Sequence, residues 1–344
     1  MGTRGVRVSV IYPFSKLDKW DDLSMGVTLD CGTKSISIAA KSLLDGHLVA
    51  FPTETVYGLG ADANNEIAVR QIYAVKSRPS NHPLIVHISS VELIDYWAID
   101  LPKYALDLAR NYWPGPMTLI LKKNSQVNSL ITGGQENIGL RIPNNESALQ
   151  LLRTFENLGG KGVVAPSANK FGSVSPTSSE DVEQELGNIL GKDDLVLNGG
   201  QCKLGIESTI INCLGAKPNI LRPGFITESM IEKFIEITKE TKQSINIIKH
   251  PGDFKNHYAP KTPVYLNSVT SSGDGLIALE SVETPVNVVR ISSPKNLEEF
   301  AFELYKSFRK ADQMKLTRII VYLNDQNPIA DAIRDRVFKA SVKS

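Results

Sequence analysis

Cysteine is scarce. Cys31, Cys202 and Cys213 are three widely separated thiols in 344 residues, with no Cys-x-x-Cys pair. That pattern argues against a zinc site and fits a reducing compartment, so a cytoplasmic location is expected. An excess of one charge is lacking too: 38 basic residues face 37 acidic ones, and no global field draws the chain to nucleic acid or membrane. Any basic surface must be local. No apolar run approaches a membrane span. The chain has no Walker loop, no Gly-x-Ser-x-Gly elbow and no Ser-His-Asp order. One apparent motif also fails. Gly58-Leu-Gly60-Ala-Asp-Ala63 has dinucleotide-fingerprint spacing, but the acid needed about 20 residues later is replaced by basic Lys76-Ser-Arg78-Pro79.

What is present is an alternation of short apolar runs and amphipathic stretches over a length that favours two domains. Residues 1–17 hold Arg4, Arg7 and Lys16 and no acid, as a transit peptide does, but show no long amphipathic run. Residues 1–30 read as a poorly ordered leader. Helices are expected at 36–44, 66–76, 102–113, 146–158, 178–190 and 227–240, and strands at 48–51, 84–88, 117–121, 138–142, 162–166, 195–197, 206–212 and 219–221. This predicts a large, twisted, mixed α/β sheet domain over 31–240. Residues 241–262, with Pro251, Gly252, His257, Tyr258 and Pro260, read as a linker. A smaller open α/β, Rossmann-like domain follows over 263–344.

The polar residues that follow these elements could each be mundane. Lys76 and Arg78 suit a solvated helix C-terminus. Ser167, Asn169 and Arg222-Pro-Gly224 suit turns. His87 suits a hydrogen-bonded core position, and His82 and His87 are not at metal-ligand spacing. Yet all follow strands or helices of one domain, and open sheets gather such ends in one crevice. Cations, hydroxyls and an amide predominate there, a set that binds phosphates and aligns reactants.

Phe51-Pro-Thr-Glu-Thr-Val-Tyr-Gly-Leu-Gly60, Lys76-x-Arg78-Pro79, Pro83-Leu-Ile-Val-His87, Trp113-Pro-Gly-Pro116, Ala165-Pro-Ser-Ala-Asn169, Glu207-Ser-Thr-Ile210, Leu221-Arg-Pro-Gly224 and His257-Tyr-Ala-Pro260 together resemble the threonylcarbamoyl-AMP synthases, in the long two-domain form of the YrdC-domain family. The resemblance spans roughly residues 35–341. It implies formation of L-threonylcarbamoyl-adenylate and pyrophosphate from L-threonine, bicarbonate and ATP. The product would pass to the tRNA t6A transferase complex, which modifies adenosine 37. It further implies nucleotide contacts from Lys76, Arg78, Asn81, Ser167, Asn169, Ser175, Arg222 and Tyr258, with Lys76 and Arg78 as the catalytic cations. A threonine pocket would be lined by Thr53, Tyr57, His87, Arg141 and Ser208. Mg²⁺ would ride mainly on the ATP phosphates, with no protein metal site. In the family the linker reaches across the active-site mouth, so 241–262 is also a candidate lid. Two departures stand out: Ser77 where glycine is common, and Asn144-Asn145 where a histidine is often found. Two other readings are a carbamoyl-transfer enzyme of the hydrogenase-maturation type, disfavoured by the dispersed cysteines, and a weak RNA-binding module, disfavoured by the balanced charge.

Overall fold

A computed structural model describes residues 26–237, 248–253 and 257–341. The first 25 residues of the expected leader, the last three of the expected 227–240 helix, and residues 241–247 and 254–256 of the linker lie outside the described residues. The rest begins with β1 (Val27–Asp30), which falls inside the segment read as leader and pairs in parallel with β8 (Leu195–Asn198). Its alternating Val27 and Leu29 are buried, which is reason enough for the chain to join the sheet there. Helix α1 (Thr33–Leu44) buries Ile36, Ala39, Ala40 and Leu43 on one face. It is followed by Gly46 at φ +92°, where a Cβ would come within 2.8 Å of Asn65 Nδ2.

β2 (Val49–Phe51) turns through Pro52–Tyr57 into β3 (Gly58–Asp62), its antiparallel partner. The sequence pattern does not predict β3, because Gly58 and Gly60 carry no apolar side chain. They are needed for closeness: a Cβ on Gly60 would lie 2.8 Å from the Phe51 ring and 2.9 Å from Val49 O. Helix α2 (Glu66–Lys76) is capped by the Asn65 side chain, which accepts from Ile67 N and Ala68 N. It ends on Ser77 in the left-handed region, φ 50° and ψ 40°, which explains why glycine suits that position.

The remaining elements follow in order: β4 (Ile85–His87), α3 (Ile94–Trp97), α4 (Lys103–Tyr112), β5 (Met117–Lys122), β6 (Asn137–Arg141), α5 (Glu146–Asn157), β7 (Val163–Val164), α6 (Ser179–Leu186), β8, β9 (Thr209–Asn212), β10 (Asn219–Arg222) and α7 (Glu228–Ile231). Two expected helices are shorter than read, α6 stopping at Leu186 before Gly187 and α7 making a single turn. The ten strands form one mixed sheet in the order β1-β8-β2-β3-β7-β4-β6-β5-β9-β10. One apolar layer joins α1 to α5 through Ile36, Leu43, Leu151 and Phe155, and a larger one includes Ile72, Leu108 and Trp97.

The C-terminal domain is a parallel four-stranded sheet in the order β11-β14-β12-β13. Its strands are β11 (Val264–Leu266), β12 (Gly275–Ala278), β13 (Val289–Ser292) and β14 (Ile319–Tyr322). Helices α8 (Leu297–Met314) and α9 (Pro328–Ser341) complete it. It is docked on the large domain: Val56, Val174 and Ile206 belong to its apolar core. Gly205, at φ +79°, meets α8 so closely that a Cβ would fall 2.5 Å from Phe302 Cα. Arg309 of α8 reaches Glu185 at 3.0 Å and Asp181 at 3.4 Å on α6. Among the described residues no helix is long and apolar enough to cross a membrane.

The β2–β3 contact gives a direct test. Gly60→Ala is expected to destabilise the protein by about 1–3 kcal/mol through overpacking against Phe51 and Val49. Urea unfolding measures it, and a loss under about 0.5 kcal/mol would contradict this packing.

Candidate active site

A recess lies where β2, β4, β6, β9 and β10 present polar residues. Thr53 and Thr55 come from the turn after β2. His87 and Arg141 are register partners on the parallel pair β4 and β6. Ser167 follows β7, Ser208 precedes β9, and Arg222 ends β10. Pro251, Gly252, His257 and Tyr258 close it from the linker.

On one side hydroxyls surround an arginine. Thr53 Oγ1 organises its own turn, accepting from Thr55 N at 3.1 Å and Val56 N at 3.2 Å and donating to Val56 O at 2.7 Å. It also lies 2.8 Å from Thr55 Oγ1, which accepts from Arg141 Nη2 at 3.0 Å. Arg141 is ion-paired with Glu54 at 2.8 Å, both groups buried, and its Nε has no hydrogen-bond partner among the described residues. Such an open donor suits a second planar acceptor, for which Arg is shaped and Lys is not. His87 is held neutral: burial and then Arg141 drive its pKa down to about 3. Ser208 Oγ lies 2.8 Å from Thr118 Oγ1 and accepts from Arg222 Nη2 at 3.2 Å.

The other side is cationic. Arg78 donates to Pro83 O at 2.9 Å and sits 5.8 Å from the Phe171 ring centroid, with Nε open among the described residues. Burial lowers its pKa to about 10. Arg222 donates through Nε to Ser208 O at 3.0 Å and through Nη1 to Pro251 O at 3.0 Å, and Nη1 lies 3.4 Å from Tyr258 Oη. Lys76 stands behind this wall, fully buried, donating to the carbonyls of Ser167 and Asn169. Burial and then Arg78 hold its pKa well below the ordinary value. Asn169 donates to Lys170 O and Ser173 O, leaving Oδ1 open.

Five expected residues stand off the wall: Lys76 and Asn169 behind it, and Tyr57, Asn81 and Ser175. Tyr57 points into the core, donating to Gly200 O at 2.8 Å and accepting from Gly199 N at 3.1 Å. Asn81 is exposed on the turn before β4. Ser175 is buried and donates to Glu207 Oε1 at 2.6 Å. Lys76, read as facing the crevice, stands behind it. Sequence reasoning named no role for Glu54, Thr55, Glu207 or His257, although all four sit inside the quoted motifs. An acid such as Glu207 beside Ile206 and Ile210 was a usable signal. Burial would raise its pKa, but Arg336, Arg222 and the Ser175 hydroxyl outweigh that and hold it below the ordinary carboxylate value.

Two family matches divide the chain as the fold does. The family described as "Telomere recombination" (Sua5_yciO_yrdC) matches residues 41–224. The one described as "Threonylcarbamoyl-AMP synthase, C-terminal domain" matches 226–342. The chain belongs to the two-domain, Sua5-type threonylcarbamoyl-AMP synthase family. A Pyrococcus abyssi threonylcarbamoyl-AMP synthase is 37% identical over 89% of this chain and 94% of its own length. A Bacillus subtilis one is 34% identical over 91% and 94%. The crystal structure of P. abyssi Sua5 complexed with L-threonine superposes with a TM-score of 0.80 at 33% identity, covering 92% of this chain and 97% of that one.

Buried neutral histidines stand in and beside the recess, and that has a pH signature. Burial takes His250 to about 3 as well, with Arg222 adding to it. A histidine whose folded pKa lies below its unfolded value stabilises fully above that unfolded value, about 6.5, and loses the contribution as pH falls toward the folded one. Unfolding free energy is therefore expected to drop between about pH 7 and 5, by up to ~1.4 kcal/mol per pH unit for each such histidine. His87→Asn should flatten the slope. Urea unfolding across that range checks it, and a flat wild-type profile would contradict the buried neutral histidines.

Proposed function

We propose that this chain joins L-threonine, bicarbonate and ATP into L-threonylcarbamoyl-AMP, releasing pyrophosphate, for N6-threonylcarbamoyladenosine modification of tRNA. The observation that carries the residue assignments is the convergence of Arg78, Arg141 and Arg222, with Lys76 behind them, on one enclosed recess. Arg141, with its open Nε, takes the threonine carboxylate. Thr53, Thr55 and Ser208 ring the side chain, and His87 is neutral beside it. The threonine amine adds to carbon dioxide with loss of a proton, or to bicarbonate with loss of water, to form a carbamate. A carbamate oxygen then attacks the α-phosphorus, and pyrophosphate leaves. Arg78 and Arg222 offset the charge that develops on the phosphates, while Lys76 fixes the Ser167–Asn169 carbonyls and adds its field.

Among the described residues no group of three His, Cys, Asp or Glu side chains is placed to hold a metal ion. Glu54 and Glu207 face arginines. Mg²⁺ would enter with ATP and be carried mainly by the phosphate oxygens and water. Tyr258, at φ 63° and hydrogen-bonding distance from Arg222, covers the phosphate side. Pro251, Gly252, His257 and Tyr258 thus form a cover that limits water around a reactive mixed anhydride. The buried, enclosed arginines suit a small anion better than an RNA backbone. The product passes, in the cytoplasm, to the complex that transfers threonylcarbamoyl to tRNA.

Threonine-dependent pyrophosphate release from ATP and bicarbonate tests the reaction, and release that ignores threonine would refute it. Arg78→Ala is expected to lose a charge-assisted contact worth roughly 1.5–3 kcal/mol, lowering kcat/KM for ATP about ten- to a hundredfold. Unchanged kcat/KM would remove Arg78 from the phosphate site. Valine should be used about a hundredfold less well than threonine, since it leaves buried hydroxyls unpaired. Equal use of both amino acids would contradict the pocket assignment.

A further inference from the structure

Arg336, on α9 of the C-terminal domain, is fully buried and lies outside the recess wall. Its guanidinium is bonded to Glu207, which lines that wall, and to Pro223, one residue beyond it. Nε lies 3.0 Å from Glu207 Oε2, and Nη2 donates to Glu207 O at 3.1 Å. Nη1 donates to Pro223 O at 2.8 Å and meets Asp335 Oδ2 at 2.8 Å. Glu207 immediately precedes Ser208, and Pro223 immediately follows Arg222. Arg222 and Ser208 are bonded to each other at 3.0 and 3.2 Å. One side chain of the small domain thus grips both backbone segments that carry this pair. The same guanidinium sits 5.6 Å from the Tyr258 ring centroid, and Tyr305 of α8 donates to Glu207 Oε2 at 2.9 Å.

We propose that Arg336 is a positioning residue for the nucleotide side of the recess. By holding Glu207 and Pro223 it sets the spacing of Ser208 and Arg222 and the seat of Tyr258, so the C-terminal domain tunes ATP affinity without touching ATP. This rests on the assignment of Arg222 and Tyr258 to ATP above. The fork geometry matters: four acceptors in different directions are met by one planar guanidinium, and an ammonium cannot meet them together. A second anchor holds the domains elsewhere, because Arg309 bonds Asp181, Glu185 and the Val174 carbonyl. Docking and positioning are therefore separable.

The experiment compares the full-length protein with Arg336→Lys, Arg309→Ala and Arg222→Ala. It records thermal midpoints and steady-state pyrophosphate release with ATP and threonine each varied. Arg336→Lys is expected to raise KM for ATP about tenfold and the threonine KM by a smaller factor, because Ser208 is held by the same grip. Arg309→Ala should lower the thermal midpoint while leaving KM for ATP within about twofold. Wild-type KM for ATP in Arg336→Lys, with a raised KM in Arg222→Ala, would overturn the positioning role alone. Wild-type KM in Arg222→Ala would overturn the nucleotide assignment and the proposal with it. An equal rise in Arg309→Ala and Arg336→Lys would show a general docking effect and overturn the proposal too.

Discussion

Five buried cations gather around one crevice, and two buried carboxylates make that tolerable. Lys76, Arg78, Arg141, Arg222 and Arg336 are all largely out of water, as are Glu54 and Glu207. A buried charge without a partner costs several kcal/mol, so each must be accounted for. Glu54 meets Arg141, and Glu207 meets Arg336. Arg78, Arg222 and Lys76 instead donate to carbonyl and hydroxyl oxygens, which solvate a cation without cancelling its charge. The crevice keeps a positive surplus in a low-dielectric setting, where an arriving phosphate is held more strongly than at an open surface.

That surplus shapes the rest of the fold. The mixed sheet brings His87 and Arg141 side by side because β4 and β6 are parallel and in register. The turn after β2 supplies hydroxyls because Thr53 satisfies its own backbone and leaves the turn compact. The C-terminal domain then completes the electrostatics: without Arg336, Glu207 would offset Arg222 and reduce the positive field in the recess. A small parallel sheet with two helices is a modest unit, and its apolar core borrows Val56, Val174 and Ile206 from its neighbour. Docking and charge balance are served by the same face.

Much of this was legible in the chain. Apolar runs located most strands, and periodicity with the Pro79 stop placed Lys76 and Arg78 at the end of α2. The strand β3 escaped notice because glycine gives no hydrophobic pattern, although Gly60 is there for contact with Phe51. Tyr57 and Ser175 sit within or beside recognisable motifs, yet which face a side chain takes depends on a register that local spacing does not reveal. Arg336 left no signal at all. It meets Glu207 across 129 positions, and a basic residue in an amphipathic helix reads as a solvated face until the second domain is docked.

The linker shows how closely the recess is built. Gly252 adopts φ +83°, and a Cβ there would fall 2.4 Å from Tyr258 Oη and 3.2 Å from Arg222 Nη1. The backbone can lie against the arginine only because that side chain is absent. Pro251 gives its carbonyl to Arg222, and the linker is also tied outside the recess, where Gln135 exchanges two hydrogen bonds with the Lys249 backbone at 2.8 and 3.0 Å. His257 packs edge-on to Tyr258 at 4.1 Å, and burial together with Arg78 and Lys76 keeps its imidazole neutral. A charged imidazole here would add to the repulsion among the arginines. A cover made of carbonyls, aromatic faces and a neutral histidine shields the cations from water without neutralising them, which leaves their charge available to an anion in the recess.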